Sequence, residues 1–356
     1  MVILVDGSML EGGGQLLRMA IAYSAVMGKT VKIENIRAGR PKPGLKAQHM
    51  AAVRSVAALT SAQVKGLTLG SRTLEFNPGE IGSGSYKVNI GTAGSIGLLL
   101  QSLAPAATFT PDKVYVELRG GTSVRWAIPV LALEHVIWKI LSKMDFNGHI
   151  EVLREGFYPR GGGLVKASFE PVKRLKPLLL VEQGKIEAVR GISLCGRLPS
   201  HVSRRQAKSA EEVLKNKGLK NIHIDHVYET GNRTPMSPGS LVILWAETST
   251  GCLIEADSLG APGKPSEEVG REAAERLLSQ LKTGATVDEH TADNLIIWCS
   301  LAHGESSFST SVLTLHTRTA IELAKQITGS KFKFEAPSGR PVKIVCEGVG
   351  LKNLFI

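Results

Sequence analysis

The 356-residue sequence is poor in aromatics and cysteine and has no long apolar run. Phe, Trp and Tyr are only 5% of it, so a wide base-stacking platform of the single-strand-binding type is not evident. The four cysteines, Cys195, Cys252, Cys299 and Cys346, lie far apart and form no CxxC. That spacing argues against a zinc site or a disulfide framework and reads as buried, reduced thiols. No stretch of about 18 apolar residues occurs, so no membrane partner is expected. The opening MVILVDGSML lacks a basic region followed by a long apolar core. No signal peptide is therefore expected, and the expected location is cytoplasmic. Acids are outnumbered, giving a formal charge of +11. An anionic partner is indicated, with nucleic acid the first candidate.

One stretch organises the rest. Glu11-Gly12-Gly13-Gly14-Gln15, with Arg18 three residues on, follows the apolar run Val2–Val5 and precedes an apolar run, 16–26, that reads as a helix. Glycines let backbone approach a ligand closely, and free N–H groups at a helix start favour an anion. Arg18 lies about one turn later and can point to the same place. Glu11 repels a phosphate unless a cation bridges them. The spacing is neither the Walker nor the dinucleotide pattern, and a plain glycine-rich turn is the alternative.

A strand over 31–36 leads into a loop with Arg37, Arg40, Lys42 and Lys46 and no acid. Its two prolines and two glycines restrict its shape, which suits arginine forks for phosphate. A helix from about 44 to 60 should carry Gln48 and His49 in its first turns. Strands are expected at 73–76, 85–90, 114–118, 150–154 and 164–169, with helices after Gly91-Thr-Ala-Gly94 and over 129–144. Gln101, in a very apolar helix, is either a satisfied core amide or a ligand contact. Glycine-rich turns at 11–14, 91–97 and 160–163 suggest repeated strand–helix units. From about 182 to 280 a separate α/β set appears, which reads as an inserted domain. Its basic helix over 202–217 reads as a solvated face, with RNA contact the alternative.

In the last third, Glu289-His290-Thr291-Ala292-Asp293-Asn294 opens a helix. A metal site there is incomplete; a flat imidazole with Asp and Asn fits a nucleotide better. His316 falls at a helix start between Thr314 and Thr317, both capping candidates. A helix N-terminus disfavours imidazolium, so His316 should keep a free lone pair. A neutral imidazole is a nucleophile towards phosphorus or an acid–base group.

EGGGQLLR at 11–18, RAGRPKPGLKAQH at 37–49, the GTAGS helix start before Gln101, GFYPRGGG at 156–163, EHTADN at 289–294 and HTRTA at 316–320 resemble, in order and spacing, the RNA 3′-terminal phosphate cyclases. The likeness covers nearly the whole chain and is to archaeal or eukaryote-like members. It implies an α/β (α+β) fold of three repeated βαβαββ-type units, residues 1–181 and 281–356, with a thioredoxin-like insert at 182–280. It implies an enzyme that uses ATP with Mg²⁺ or Mn²⁺ to turn an RNA 3′-terminal phosphate into a 2′,3′-cyclic phosphate through a histidyl-AMP intermediate. His316 matches the nucleophile position, and Glu11 the acid linked to metal and site organisation. Arg18, Arg37, Arg40 and Gln48 match the phosphate groove, with Gly13, Gly14, Gln15 and His49 beside them as substrate contacts. Gln101 and His290, Thr291, Ala292, Asp293 and Asn294 match ATP contacts. His290 and Asn294 stand where bacterial members often have tyrosine and glutamine; both swaps keep a flat ring and an amide. GGTSVRWAIPVLAL lacks the double proline and following acid usual there. A non-catalytic cyclase-like RNA-binding factor and an enolpyruvyl-transferase-like enzyme are the rivals, and a homodimer through an edge strand or the insert is left open.

Overall fold

The computed structural model describes residues 2–336 and 341–356. The first unit runs β1 (Ile3–Asp6), α1 (Gly14–Met27), β2 (Val31–Glu34), α2 (Ala47–Leu59), β3 (Gln63–Lys65), β4 (Leu74–Asn77). Its sheet has the order β1-β2-β4-β3, with β1 and β2 parallel and the other pairs antiparallel. The second unit repeats the path: β5 (Gly84–Asn89), α3 (Ile96–Thr108), β6 (Val114–Gly120), α4 (residues 130–142), β7 (Asn147–Arg154), β8 (Gly163–Glu170). Its order, β5-β6-β8-β7, and its strand directions match the first. β6 and β8 alternate buried and more exposed residues, as a sheet with one covered face requires.

The chain then builds a separate sheet. β9 (Ile186–Gly196), α5 (His201–Asn216), β10 (Ile222–Glu229), β11 (Gly239–Thr248), β12 (Leu253–Leu259) and α6 (Ser266–Lys282) give the strand order β10-β9-β11-β12. On α5, Arg205 forms a two-point ion pair with Glu267, while Lys208 and Lys215 face Glu212 and Glu211. These cations have acid partners, in keeping with a solvated face.

After it come α7 (Glu289–Leu301), β13 (His303–Thr310), α8 (Leu315–Thr328), β14 (Lys331–Glu335) and β15 (Val342–Val349), with the order β13-β15-β14. The place beside β13 that β1 and β5 fill in their own sheets is taken by two short pieces. Leu179 bridges Ser307 in parallel, and Val287 bridges Thr310 in parallel. The β9–α6 stretch thus leaves and rejoins the chain within one strand position.

α1 is the central helix. Gln15 to Ala25 are all buried, because α2, α3 and α8 surround it. A helix covered on every side must be apolar on every side, which its sequence supplies except at Gln15, Arg18 and Ser24. Two details were absent from the sequence reading. β3 is three residues long with two of them exposed, so it has no apolar alternation to reveal it. α4 contains a π-helical turn at Leu133–Ile137, which sets His135 flat against Trp245, ring centres 4.9 Å apart.

Candidate active site

The glycine stretch gives the first wall. Gly13 caps α1 in extended geometry with no side-chain cap, so the helix start keeps its donors available. Gly12 adopts a φ of 59°, and its carbonyl accepts from the Gly39 N–H at 3.0 Å, tying the arginine loop to this turn. Gly14 lies against the His49 imidazole, where any Cβ would collide with Nε2. His49 is buried, and its Nδ1 accepts from the Lys46 N–H at 3.2 Å. Burial, then Arg18, Arg37 and Lys46, push it down to about 3, so it stays neutral.

His316 lies in the first turn of α8, whose start is capped by Thr314 accepting from the Thr317 N–H. Its Nδ1 is 3.1 Å from Gln15 Oε1 and its Nε2 is 3.8 Å from Glu11 Oε1. With the Gln15 oxygen accepting, Nδ1 carries the proton and Nε2 keeps its lone pair. Burial lowers the imidazole's proton affinity, and Arg40, Arg18 and His290 lower it further. Glu11 opposes this, but its charge is already answered by Arg40, which pairs with Oε1. The Glu11 N–H donates to Thr319 Oγ1, so α8 fixes the acid and the histidine together.

The rate of any attack by Nε2 should therefore hold steady above neutrality and fall as pH drops through the lowered histidine value. Arg40→Gln removes a neighbouring cation and releases Glu11, both of which favour imidazolium. The acid limb of the rate–pH profile is expected to move to higher pH; an unmoved midpoint would mean that Arg40 does not tune His316.

Arg18 enters from α1 and is buried. Its Nη2 donates to Gln101 Oε1 at 3.4 Å, and its Nε has no partner. Burial lowers the guanidinium to about 10, with Asp293 opposing, so it remains charged at neutral pH. Gln101 Nε2 donates to Asn294 Oδ1, which joins α3 to α7. Burial pushes the Asp293 carboxyl up to about 7, with His290 and Arg18 pulling back. Gln48 Oε1 accepts the Ser95 N–H at 3.2 Å, joining α2 to the start of α3.

The expected residues separate into groups. Glu11, Gln15, Arg40 and His316 meet in one cluster; Arg18, Gln101, Asp293 and Asn294 meet in a second that shares α1 with it. Arg37 sits at a φ of 57° and spends Nη1 on the carbonyls of Lys42 and Gly44, so it shapes the loop. Thr291 and Ala292 are fully buried, so only backbone there could meet a ligand.

Two supporting residues were missed. Thr319 is one. The other is Asp288, the N-cap of α7, which accepts from the N–H groups of His290 and Thr291, the Thr291 hydroxyl and the Glu255 N–H. An Asp directly before the EHTADN helix was the available signal. Asp288→Ala is expected to cost about 2 kcal/mol, read as a lower urea midpoint at constant slope.

A divalent cation can be tested against these side chains. Glu11 Oε2 is buried without a partner, an oxygen suited to a hard cation. No group of three His, Cys, Asp or Glu able to hold a metal occurs among the described residues. The fit is to a cation shared with a ligand's own phosphate oxygens, the usual manner of Mg²⁺.

The sequence profile of the RNA 3′-terminal phosphate cyclase family matches residues 9–334. The chain is 45% identical to the RNA 3′-terminal phosphate cyclase of Methanopyrus kandleri, over 96% of this chain and 98% of that protein. It is 48% identical to the protein of that name from Hyperthermus butylicus, over 94% of each. The corresponding Pyrococcus furiosus protein is 44% identical over 95% of this chain and 96% of its own. The Glu11–Gln15 turn and His316 lie inside the matched span, and the chain belongs to the RNA 3′-terminal phosphate cyclase family.

Proposed function

We propose that the protein is an ATP-dependent RNA 3′-phosphate cyclase acting through a covalent AMP on His316. The observation that carries this is the Nδ1–Gln15 contact beside Glu11 and Arg40; with the Gln15 oxygen accepting, Nε2 keeps a free lone pair. Nε2 attacks the α-phosphorus of ATP, and pyrophosphate leaves. An oxygen of the RNA 3′-phosphate then attacks that phosphorus and releases neutral His316. The vicinal 2′-OH loses its proton, attacks the activated 3′-phosphorus and expels AMP, closing the 2′,3′-cyclic phosphate. Arg18 and Arg40, with the start of α1, seat phosphate oxygens and meet the charge that builds on them. Gln101, His290, Asp293 and Asn294 hold the adenosine. Glu11 Oε2 would hold Mg²⁺ or Mn²⁺ with the phosphates, and the cation supplies charge neutralisation there.

Residues 1–181 and 281–356 make the catalytic body in this reading, and residues 182–280 are the insert. The low proton affinity of His316 supports a nucleophile ready at neutral pH. The test is incubation with α-labelled ATP and Mg²⁺ or Mn²⁺, then addition of a 3′-phosphorylated RNA. An acid-labile, alkali-stable adduct that RNA discharges to a phosphatase-resistant end is expected. Protein that binds RNA but never labels would favour a non-catalytic RNA-binding role.

A further inference from the structure

Two aromatic side chains project into solvent beside the site and take no part in it. Trp126 is 94% exposed and Tyr158 is 78% exposed, whereas Trp138, Trp245 and Trp298 are buried. Trp126 also holds a φ of 61°, a left-handed conformation that a bulky residue keeps only where its surroundings fix it.

The start of its loop is fixed by hydrogen bonds. The Thr122 and Ser123 hydroxyls both donate to the buried Glu155 carboxylate, Ser123 at 3.0 Å. The Gly156 N–H donates to Thr122 Oγ1 at 2.8 Å, and the Thr122 N–H returns to the Gly156 carbonyl at 2.9 Å. The Trp126 and Tyr158 loops are thus stitched together below the rings. The β9–α6 unit braces the second loop: Ser237 Oγ accepts from the Arg160 N–H at 3.1 Å, and Met236 covers Gly162.

This double loop borders the phosphate groove. A Cβ at Gly161 would lie 2.7 Å from Ala93 Cα, and one at Gly121 would lie 2.5 Å from the Ala93 carbonyl oxygen. The next residue, Gly94, abuts the Gln48 side chain. Arg125 and Arg160, exposed on the same two loops, add positive charge.

We infer that Trp126 and Tyr158 stack on unpaired bases upstream of the terminal dinucleotide of a 3′-phosphorylated RNA, with Arg125 and Arg160 on the adjoining phosphates. This rests on the cyclase reading, which places the terminal phosphate in the groove. A low aromatic content argues against a wide platform, but two exposed rings on tied loops are enough for two bases. Stacking accepts any base, so the site reads strand length and not sequence.

The test uses the full-length protein without ATP and compares a single-stranded decamer carrying a 3′-phosphate with a dinucleotide carrying the same end. Binding is read by fluorescence anisotropy, with thermal midpoints confirming that each variant is folded. Trp126→Ala and Tyr158→Ala are each expected to weaken decamer binding about tenfold and to leave the dinucleotide unaffected. Trp126→Phe should restore most of the affinity, which also covers an alanine variant that fails to fold. Arg125→Gln with Arg160→Gln should flatten the slope of log K against log salt, by roughly 0.7 for each phosphate no longer neutralised. Unchanged decamer binding, or an equal loss with the dinucleotide, would overturn the inference. So would a parallel loss of ATP labelling, which would assign the rings to the nucleotide. Because binding requires no histidyl chemistry, failure of the wild-type protein to label would count against the cyclase reading alone.

Discussion

Replacing His316 by alanine is expected to abolish covalent AMP labelling and to lower RNA cyclisation by about 10⁴-fold or more. The size follows from the role. A nucleophile that forms the intermediate has no partial substitute, and the neighbouring groups only assist a bond that His316 itself must make. His290 is the nearest chemical alternative, since it too faces the site and lowers the proton affinity of His316. Labelling that survives in His316→Ala and disappears in His290→Ala would transfer the role. Gln15→Ala provides a graded companion. It removes the acceptor on Nδ1, so the tautomer is no longer fixed, and labelling should slow while persisting. Equal, complete loss in both variants would point to collapse of the helix start, which a thermal midpoint would reveal.

Arg18→Met should separate stability from activity. The guanidinium is buried with Nε unpartnered, so the folded protein bears a desolvation cost that its contact with Gln101 only partly offsets. Methionine keeps much of the volume and removes that cost. Its thermal midpoint is expected to equal or exceed that of the wild type. ATP labelling should meanwhile fall by about 10²–10⁴ in kcat/KM, since two charge-assisted contacts to phosphate are worth roughly 1.5–3 kcal/mol each. A destabilised variant with near-normal labelling would make Arg18 a structural residue.

Much of the fold was legible in the sequence because its elements announce themselves locally. The glycine turns before α1 and α3, the Thr314 cap and the alternation in β6 and β8 depend on neighbours along the chain. The candidate site was legible as residue types but not as groupings. Nothing in sequence spacing shows that His316 Nδ1 is held by Gln15, or that Gln101 reaches Asn294, because these are contacts between helices distant in sequence. His49 illustrates the limit most clearly. As a polar residue next to Gln48 it reads as a substrate contact, yet the structure buries it as the capping partner of Lys46 and the wall behind Gly14. Arg37 likewise reads as a phosphate fork, and its left-handed backbone turns it towards its own loop. The strand position beside β13 was invisible for another reason: it is assembled from two pieces, each too short to carry a pattern.

That split strand has a consequence for synthesis. During translation the segment around Leu179 emerges well before Val287, Ser307 and Thr310, so it waits beside no partner while the entire β9–α6 unit is made. That intervening unit has its own four-stranded sheet and can fold in the interval, bringing the two ends of the interrupted strand together before β13 appears. Glu11 and the arginine loop are likewise exposed early, while Thr319 and His316 come from the far end of the chain. Synthesis that terminates early, just after the β9–α6 unit, would release a product carrying the anion-attracting turn without the histidine. Such a fragment could occupy RNA ends and never turn over, which makes complete synthesis a condition not only for activity but for avoiding interference.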